Sequence, residues 1–194
     1  MGVGVMHSHD IPEHYRFFLS KERYDWQDPR KILWNAGLSS GMKFLEVACG
    51  AGFFTLEAAK IIGQQGWVFA LDKDDQALEV CRKRLLEAGF SKFELFQGKA
   101  EDFSKSLGAD FGLVANALHD FDNPVLALKN IHSSLRPGGL FLNVDWKKKS
   151  TPIGPPLTER FDEIQASGLL VQAGFKVRSK GEAGPYHYFI LAVA

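Results

Sequence analysis

From residue 43 to residue 144 the chain alternates short apolar runs with amphipathic stretches, and that alternation leaves few architectures open. Lys43–Ala48, Trp67–Leu71, Phe93–Phe96, Phe111–Ala117 and Leu140–Val144 are short and apolar, which predicts five buried strands. Phe53–Ile62, stopped by Gly63, and Asp74–Ala88, stopped by Gly89, predict helices between them. The second carries Ala77, Cys81 and Leu85 on one face. Asn123-Pro124 opens a further helix with Val125, Leu128, Ile131 and Leu135 on one side, and Pro137-Gly138-Gly139 reads as the turn before the fifth strand. Strands that alternate with helices pair in parallel and need cover on both faces of the sheet.

The flanks read differently. Residues 1–27 are rich in His, Gly and aromatics and read as irregular, an N-terminal lid or packing segment. Residues 28–194 form a single domain. It opens with Asp28-Pro29 as a helix cap and first turn, continuing to about Ala36. After Trp146, residues 147–156 read as a loop, Leu157–Ala173 as a helix, and Phe175–Ser179 with Tyr186–Val193 as two strands joined by Gly181–Pro185. The expected fold class is therefore α/β, a three-layer sandwich whose seven-stranded, mostly parallel sheet ends in a C-terminal antiparallel hairpin.

The chemistry concentrates in Glu46-Val47-Ala48-Cys49-Gly50-Ala51-Gly52-Phe53, between the first strand and the first following helix. Ligands of open α/β sheets sit beyond the carboxyl ends of the strands. Small residues there let the backbone approach a ligand, and the free N–H groups of the next helix receive an anionic part of it. Asp72 closes the second strand, where a carboxylate can accept two hydrogen bonds from a ribose diol. Together they imply a nucleoside-bearing cofactor. The competing structural reading makes the glycines a plain tight turn and Asp72 the cap of the helix from Asp74. A dinucleotide fingerprint needs a third glycine, and Thr55 stands at that position.

These residues resemble the S-adenosylmethionine-dependent methyltransferases of Rossmann-like fold. Glu46–Gly52 matches the family's first motif, Asp72 its ribose acid, Gln97–Asp102 its third motif, Asp110–Asn116 its fourth strand and Leu135–Gly139 the turn before its fifth. The resemblance covers about residues 30–193. Leu118-His119-Asp120-Phe121, Asp145-Trp146-Lys147-Lys148 and Gly154-Pro155-Pro156 make the chain most similar to the group containing quinone-biosynthesis and arsenite methyltransferases. It implies S-adenosylmethionine as cofactor, S-adenosylhomocysteine as product, and cofactor contacts from Glu46, Ala48, Cys49, Gly50, Gly52, Asp72, Lys73, Ala100, Glu101 and Asn116. Ala48 stands where relatives carry the first glycine, and Lys99 where many carry an acid that contacts the adenine amino group. A small-molecule methyl acceptor is the expected partner, and a homodimer is left open.

The methyl of S-adenosylmethionine is already electrophilic, so the protein must supply orientation, exclusion of water and, for a protonated nucleophile, a base. His119 and Asp145, at the ends of the fourth and fifth strands, are the catalytic candidates; His119 reads equally as a capping histidine, and Asp120 and Asp122 as caps of the following helix. Tyr24 or Trp26 can cover the methyl group or simply pack on the core. Two alternatives stand beside the methyltransferase: an NAD-dependent oxidoreductase, for which no hydride-transfer residue is visible, and a non-catalytic cofactor-binding protein on the same fold.

Several resemblances fail on context. Gly37-Leu38-Ser39-Ser40-Gly41 fits a hydrolase elbow but runs from helix into strand, the wrong order. Asp72-Lys73-Asp74-Asp75 lacks the glycine and terminal glutamate of a calcium loop. His7-Ser8-His9 has no acid or cysteine partner, so no metal is expected. Cys49 and Cys81 are the only cysteines, too few for arsenite chemistry or a disulfide framework. Acidic and basic residues balance at 23 each, against a dedicated nucleic-acid binder. With no apolar run near 18 residues and no basic-led apolar segment at the start, a cytoplasmic protein without an integral membrane segment is expected.

Overall fold

The computed structural model describes residues 11–194; His7-Ser8-His9 lies outside them. One seven-stranded sheet runs in the order β3-β2-β1-β4-β5-β7-β6. The strands are β1 (Lys43–Val47), β2 (Trp67–Asp72), β3 (Phe93–Gln97), β4 (Ala109–Ala115), β5 (Leu135–Trp146), β6 (Lys176–Glu182) and β7 (His187–Val193). β1 to β5 pair in parallel, while β7 is antiparallel to both β5 and β6. The strand order reverses at β1, with β2 on one side and β4 on the other, which opens a crevice at their carboxyl ends.

Among the described residues seven α-helices accompany the sheet: α1 (Glu13–Phe18), α2 (Lys21–Trp26), α3 (Pro29–Asn35), α4 (Phe53–Ile62), α5 (Asp75–Glu87), α6 (Pro124–Ser134) and α7 (Glu163–Gln172). The sheet divides the core. Phe44, Val68, Ala70, Leu113 and Leu142 face α3, α4 and α5 through Leu33, Phe54, Ile62 and Leu85. Leu45, Val47, Leu71, Val114 and Ile190 face α6 and α7 through Leu128, Ile131 and Leu170. Each fully buried Leu or Ile contributes about 1.5–3 kcal/mol against its exposed state. Caps fix where the helices start: Asp28 accepts from Lys31 N–H, Asp74 from Gln76 and Ala77, and Asn123 from Leu126.

Four expectations are revised. The first 27 residues are not irregular throughout, because α1 and α2 occupy residues 13–26. Helices of six residues are too short to persist alone, so packing on the domain holds them. α7 begins at Glu163 rather than Leu157, where Asp162 and Gln165 form a reciprocal capping box. Pro137-Gly138-Gly139 is not a turn before β5 but a bulge inside it. Leu135 already pairs with Ala109 and Leu140 with Phe111, so residues 136–139 bow out against Asp110, which accepts from Arg136 Nε at 2.6 Å. Asp120 and Asp122 cap nothing: Asn123 caps α6, and Asp122 pairs with Lys99 at 2.9 Å.

Candidate active site

A cleft of about 780 Å³ lies at the carboxyl ends of β1, β2 and β4, within the usual range of small-molecule sites. β1 leads into the turn of residues 48–52, and the backbone there is strained. Ala48 has φ +59° and Asn116, just after β4, has φ +58°, both in the left-handed region that side chains avoid. Gly50 has φ +53°, and a Cβ built on it would meet nothing within 4 Å, so the turn leaves open space above itself. Glu46, Ala48, Cys49, Gly50, Asp72, Lys73, Ala100, Glu101 and Asn116 all line the cleft. Gly52 does not. It is buried beneath the turn, where a Cβ would lie 2.7 Å from Cys81 Sγ.

Asp72 has two duties. Its carboxylate accepts the N–H of Gly50 at 2.6 Å and that of Asp74 at 3.0 Å, tying the turn to the end of β2. The helix cap that the competing reading gave it belongs to Asp74. A carboxylate offers about four acceptor positions, so two remain for a diol in the cleft. Glu46 is fully buried and accepts the Thr55 hydroxyl at 2.5 Å. Burial pushes its carboxyl well above the ordinary range, against the opposing pull of the Thr55 hydroxyl and the Arg23 charge. Thr55 thus fills the position of a third dinucleotide glycine with a hydrogen bond of its own.

At the other side of the crevice His119 Nδ1 lies 2.8 Å from Asp145 Oδ1, and both side chains are 3% exposed. Asp145 Oδ1 also accepts the Trp146 N–H at 2.8 Å, while its Oδ2 is buried without a hydrogen-bond partner. His119 lines the cleft and Asp145 stands behind it. Burial disfavours the charged imidazole, but the hydrogen bond and charge of Asp145, with Asp120 adding, outweigh it and raise the His119 pKa. The other imidazole nitrogen, Nε2, is 3.4 Å from Asp120 Oδ1.

Trp26, Trp146, Phe121, Gly154 and Pro155 line the same region. Gly154 has no room for a side chain: a Cβ would sit 2.9 Å from both Trp146 Cε3 and Arg160 Nη2. Arg160 is buried and gathers the carbonyls of Lys147, Lys149 and Pro155 at 2.8–3.0 Å, which folds the loop after β5 into a wall.

Sequence reasoning missed Arg23 and Gln27. Both are buried, in or just after α2. Gln27 and Asn116 exchange side-chain hydrogen bonds, Nε2 to Oδ1 at 3.1 Å and Nδ2 to Oε1 at 2.9 Å. Arg23 donates from Nε and Nη2 to the same Gln27 oxygen. Tyr15 on α1 donates to the Asp74 side chain. No periodic apolar stripe marks these short helices, so nothing in the sequence separated them from a loose tail.

The sequence profile of the methyltransferase domain family matches residues 38–174, more than half of the chain. The chain belongs to the methyltransferase domain family. The ubiquinone/menaquinone biosynthesis C-methyltransferase UbiE of Psychromonas ingrahamii is 28% identical over 153 residues, 78% of this chain and 59% of that protein. A demethylmenaquinone methyltransferase of Staphylococcus aureus is 26% identical over 125 residues, 64% of this chain and 51% of that protein. The methyltransferase domain thus spans between half and three-fifths of these relatives' length. A crystal structure of a SAM dependent methyltransferase from Aquifex aeolicus matches with TM-score 0.88 at 26% identity, covering 94% of this chain and 97% of that one. Family and fold make S-adenosylmethionine the cofactor, and the cleft fits it: an open glycine turn, the Asp72 carboxylate with acceptor positions to spare and two strained strand ends meet around one space. No helix among the described residues is long and apolar enough to cross a membrane.

Proposed function

We propose that this methyltransferase domain passes the methyl group of S-adenosylmethionine directly to a small, flat organic acceptor carrying an ionisable hydroxyl. The observation that carries this reading is the His119–Asp145 pair at the cleft wall. When bound, the cofactor supplies an electrophilic methyl on a sulfonium. The chain's own part follows from its residues. Gly50, Asp72 and the third-motif residues Ala100 and Glu101 hold the nucleoside. Trp26, Trp146 and Phe121 exclude water and offer flat apolar walls to a ring. Asp145, hydrogen-bonded to Nδ1, orients the ring so that Nε2 of His119, with the exposed Asp120 carboxylate 3.4 Å away, takes the hydroxyl proton as the nucleophile forms.

The names of the quinone-biosynthesis relatives favour a hydroquinone-like ring as that acceptor. The free, buried thiols Cys49 and Cys81 suit a reducing cytoplasm.

The test is turnover of a panel of phenols and hydroquinones with S-adenosylmethionine, with methylated product and S-adenosylhomocysteine read by mass spectrometry. His119→Asn should lower turnover by about 10²–10⁴-fold, the usual range for a general base. If no member of the panel is methylated by protein that binds S-adenosylhomocysteine, the non-catalytic reading replaces this one.

A further inference from the structure

Among the described residues, Arg23 is a buried cation without a carboxylate hydrogen-bonded to it. Its side chain donates to Gln27 Oε1 from Nε at 3.1 Å and Nη2 at 2.8 Å, and to the Phe18 carbonyl from Nη1 at 2.9 Å. Every one of these acceptors is neutral. A guanidinium has five N–H donors, so these three bonds leave two unaccounted for. Its carbon lies 3.9 Å from the Phe53 ring centroid, which fixes the plane of the group. The nearest acid by charge is Glu46, whose burial favours the neutral carboxyl. Burial also pulls the Arg23 pKa down to about 10, which leaves it charged at neutral pH.

Burying a charge with neutral partners only is costly, and a counter-charge brought by a ligand would offset that cost. Arg23 is 7% exposed and lines the cleft. Its neighbours place it. Gln27 ties it to Asn116 at the end of β4, and Phe53 opens α4 just past the turn from β1. Asp72, the diol acid, stands across β1 at the end of β2. Asp72 and Arg23 therefore lie on opposite sides of the turn from β1, among the charged residues that line the cleft. A nucleoside that carries an amino acid needs both charges: the diol faces the carboxylate, and the amino acid's own carboxylate needs a cation.

We propose that Arg23 binds the α-carboxylate of the cofactor's amino-acid end, so that α2 forms part of the cofactor site. The fork of the guanidinium offers two parallel donors to a carboxylate, the geometry for which arginine is favoured over lysine.

The experiment compares two ligands by calorimetry on the full chain. S-adenosylhomocysteine carries the amino-acid end, and 5′-methylthioadenosine is the same nucleoside thioether without it. Arg23→Met should weaken S-adenosylhomocysteine by about 10- to 100-fold, the range for a lost charge-assisted hydrogen bond. Methylthioadenosine should change less than about threefold, within the scatter of a contact not made. Arg23→Lys keeps the charge and loses the fork, and should recover part of the difference between the ligands. Equal losses for both ligands would overturn the proposal and leave Arg23 a packing residue of α2. So would unchanged affinity for both. If Arg23→Met fails to fold, the Arg23→Lys arm decides: a loss confined to the amino-acid-bearing ligand supports the proposal, and an equal or absent loss overturns it.

Discussion

Gly52 seats against Cys81 so closely that a Cβ on the glycine would lie 2.7 Å from the thiol sulfur and 3.2 Å from the cysteine Cβ. The residue also has φ +79°. Gly52→Ala therefore meets two costs, a left-handed backbone and an overpacked contact, together about 2–4 kcal/mol. Urea denaturation should show that loss. The double variant with Cys81→Ala should regain part of it, since only the contact is relieved. A double variant no more stable than Gly52→Ala would show that the contact carries none of the cost.

Asp72 ties the Gly50 N–H to the end of β2 and faces the cleft. Asp72→Ala removes an acceptor from both the turn and a bound diol, and calorimetry with S-adenosylhomocysteine should show affinity falling by about 10- to 100-fold. Asp72→Asn keeps one acceptor oxygen and should fall between that variant and the natural chain. Unchanged affinity in the alanine variant would remove Asp72 from the site.

With His119 as the proposed base, its raised pKa predicts a signed pH dependence of activity. A base must be neutral to act, so kcat/KM should rise with pH through a value above the ordinary 6.5. Asp145→Asn removes the charge that lifts this pKa, and the rising limb should move to lower pH. A limb that stays in place in Asp145→Asn belongs to another group.

His187 does the reverse for stability. It is fully buried against Trp26 and Trp146, and burial, followed by the charges of Arg23, Arg160 and Lys147, lowers its pKa to about 3. The unfolded chain binds a proton near pH 6.5 that the folded chain refuses until about pH 3. Stability from this group is thus complete above pH 6.5 and is lost as the pH falls toward 3. His119, whose folded pKa is raised, contributes in the opposite sense: its share is complete below about pH 6.5 and is lost as pH rises through the folded value. Urea midpoints measured from pH 7 to pH 4 should fall less steeply for His187→Phe than for the natural chain. Equal slopes would mean that the buried imidazole does not drive the acid limb.

Gly154 sits between Trp146 and Arg160 with no space for a methyl group. If this wall forms the acceptor side of the cleft, Gly154→Ala should displace it and raise KM for the acceptor several-fold. Affinity for S-adenosylhomocysteine should hold. Loss of both in equal measure would show that the loop supports the whole cleft.

Much of this was legible in the chain because local rules and tertiary structure agree over most of the stretch from Lys43 to Ile131. Gly63 and Gly89 end helices where expected, and Thr55 excludes the dinucleotide pattern by standing where a glycine should. The failures have physical causes. Pro137-Gly138-Gly139 carries turn chemistry but is held in a strand by pairing on both sides of it. The start of α7 is written in the capping box of Asp162 and Gln165, which places its N-cap five residues after the Leu157 that follows Pro155-Pro156. His119 and Asp145 were each visible at a strand end, yet their contact depends on the β4–β5 register, which no local pattern encodes. Arg23 gave no sign, since its meaning comes wholly from what α2 packs upon.

The α1–α2 segment is fastened at two separated points: Tyr15 to Asp74 past the end of β2, and Gln27 to Asn116 past the end of β4. It spans the reversal point of the sheet like a bar across a doorway. A ligand that passes beneath it would need one fastening to open, so Tyr15→Phe or Gln27→Ala should speed the release of S-adenosylhomocysteine in stopped-flow measurements, and an unchanged rate would show that exchange takes another path.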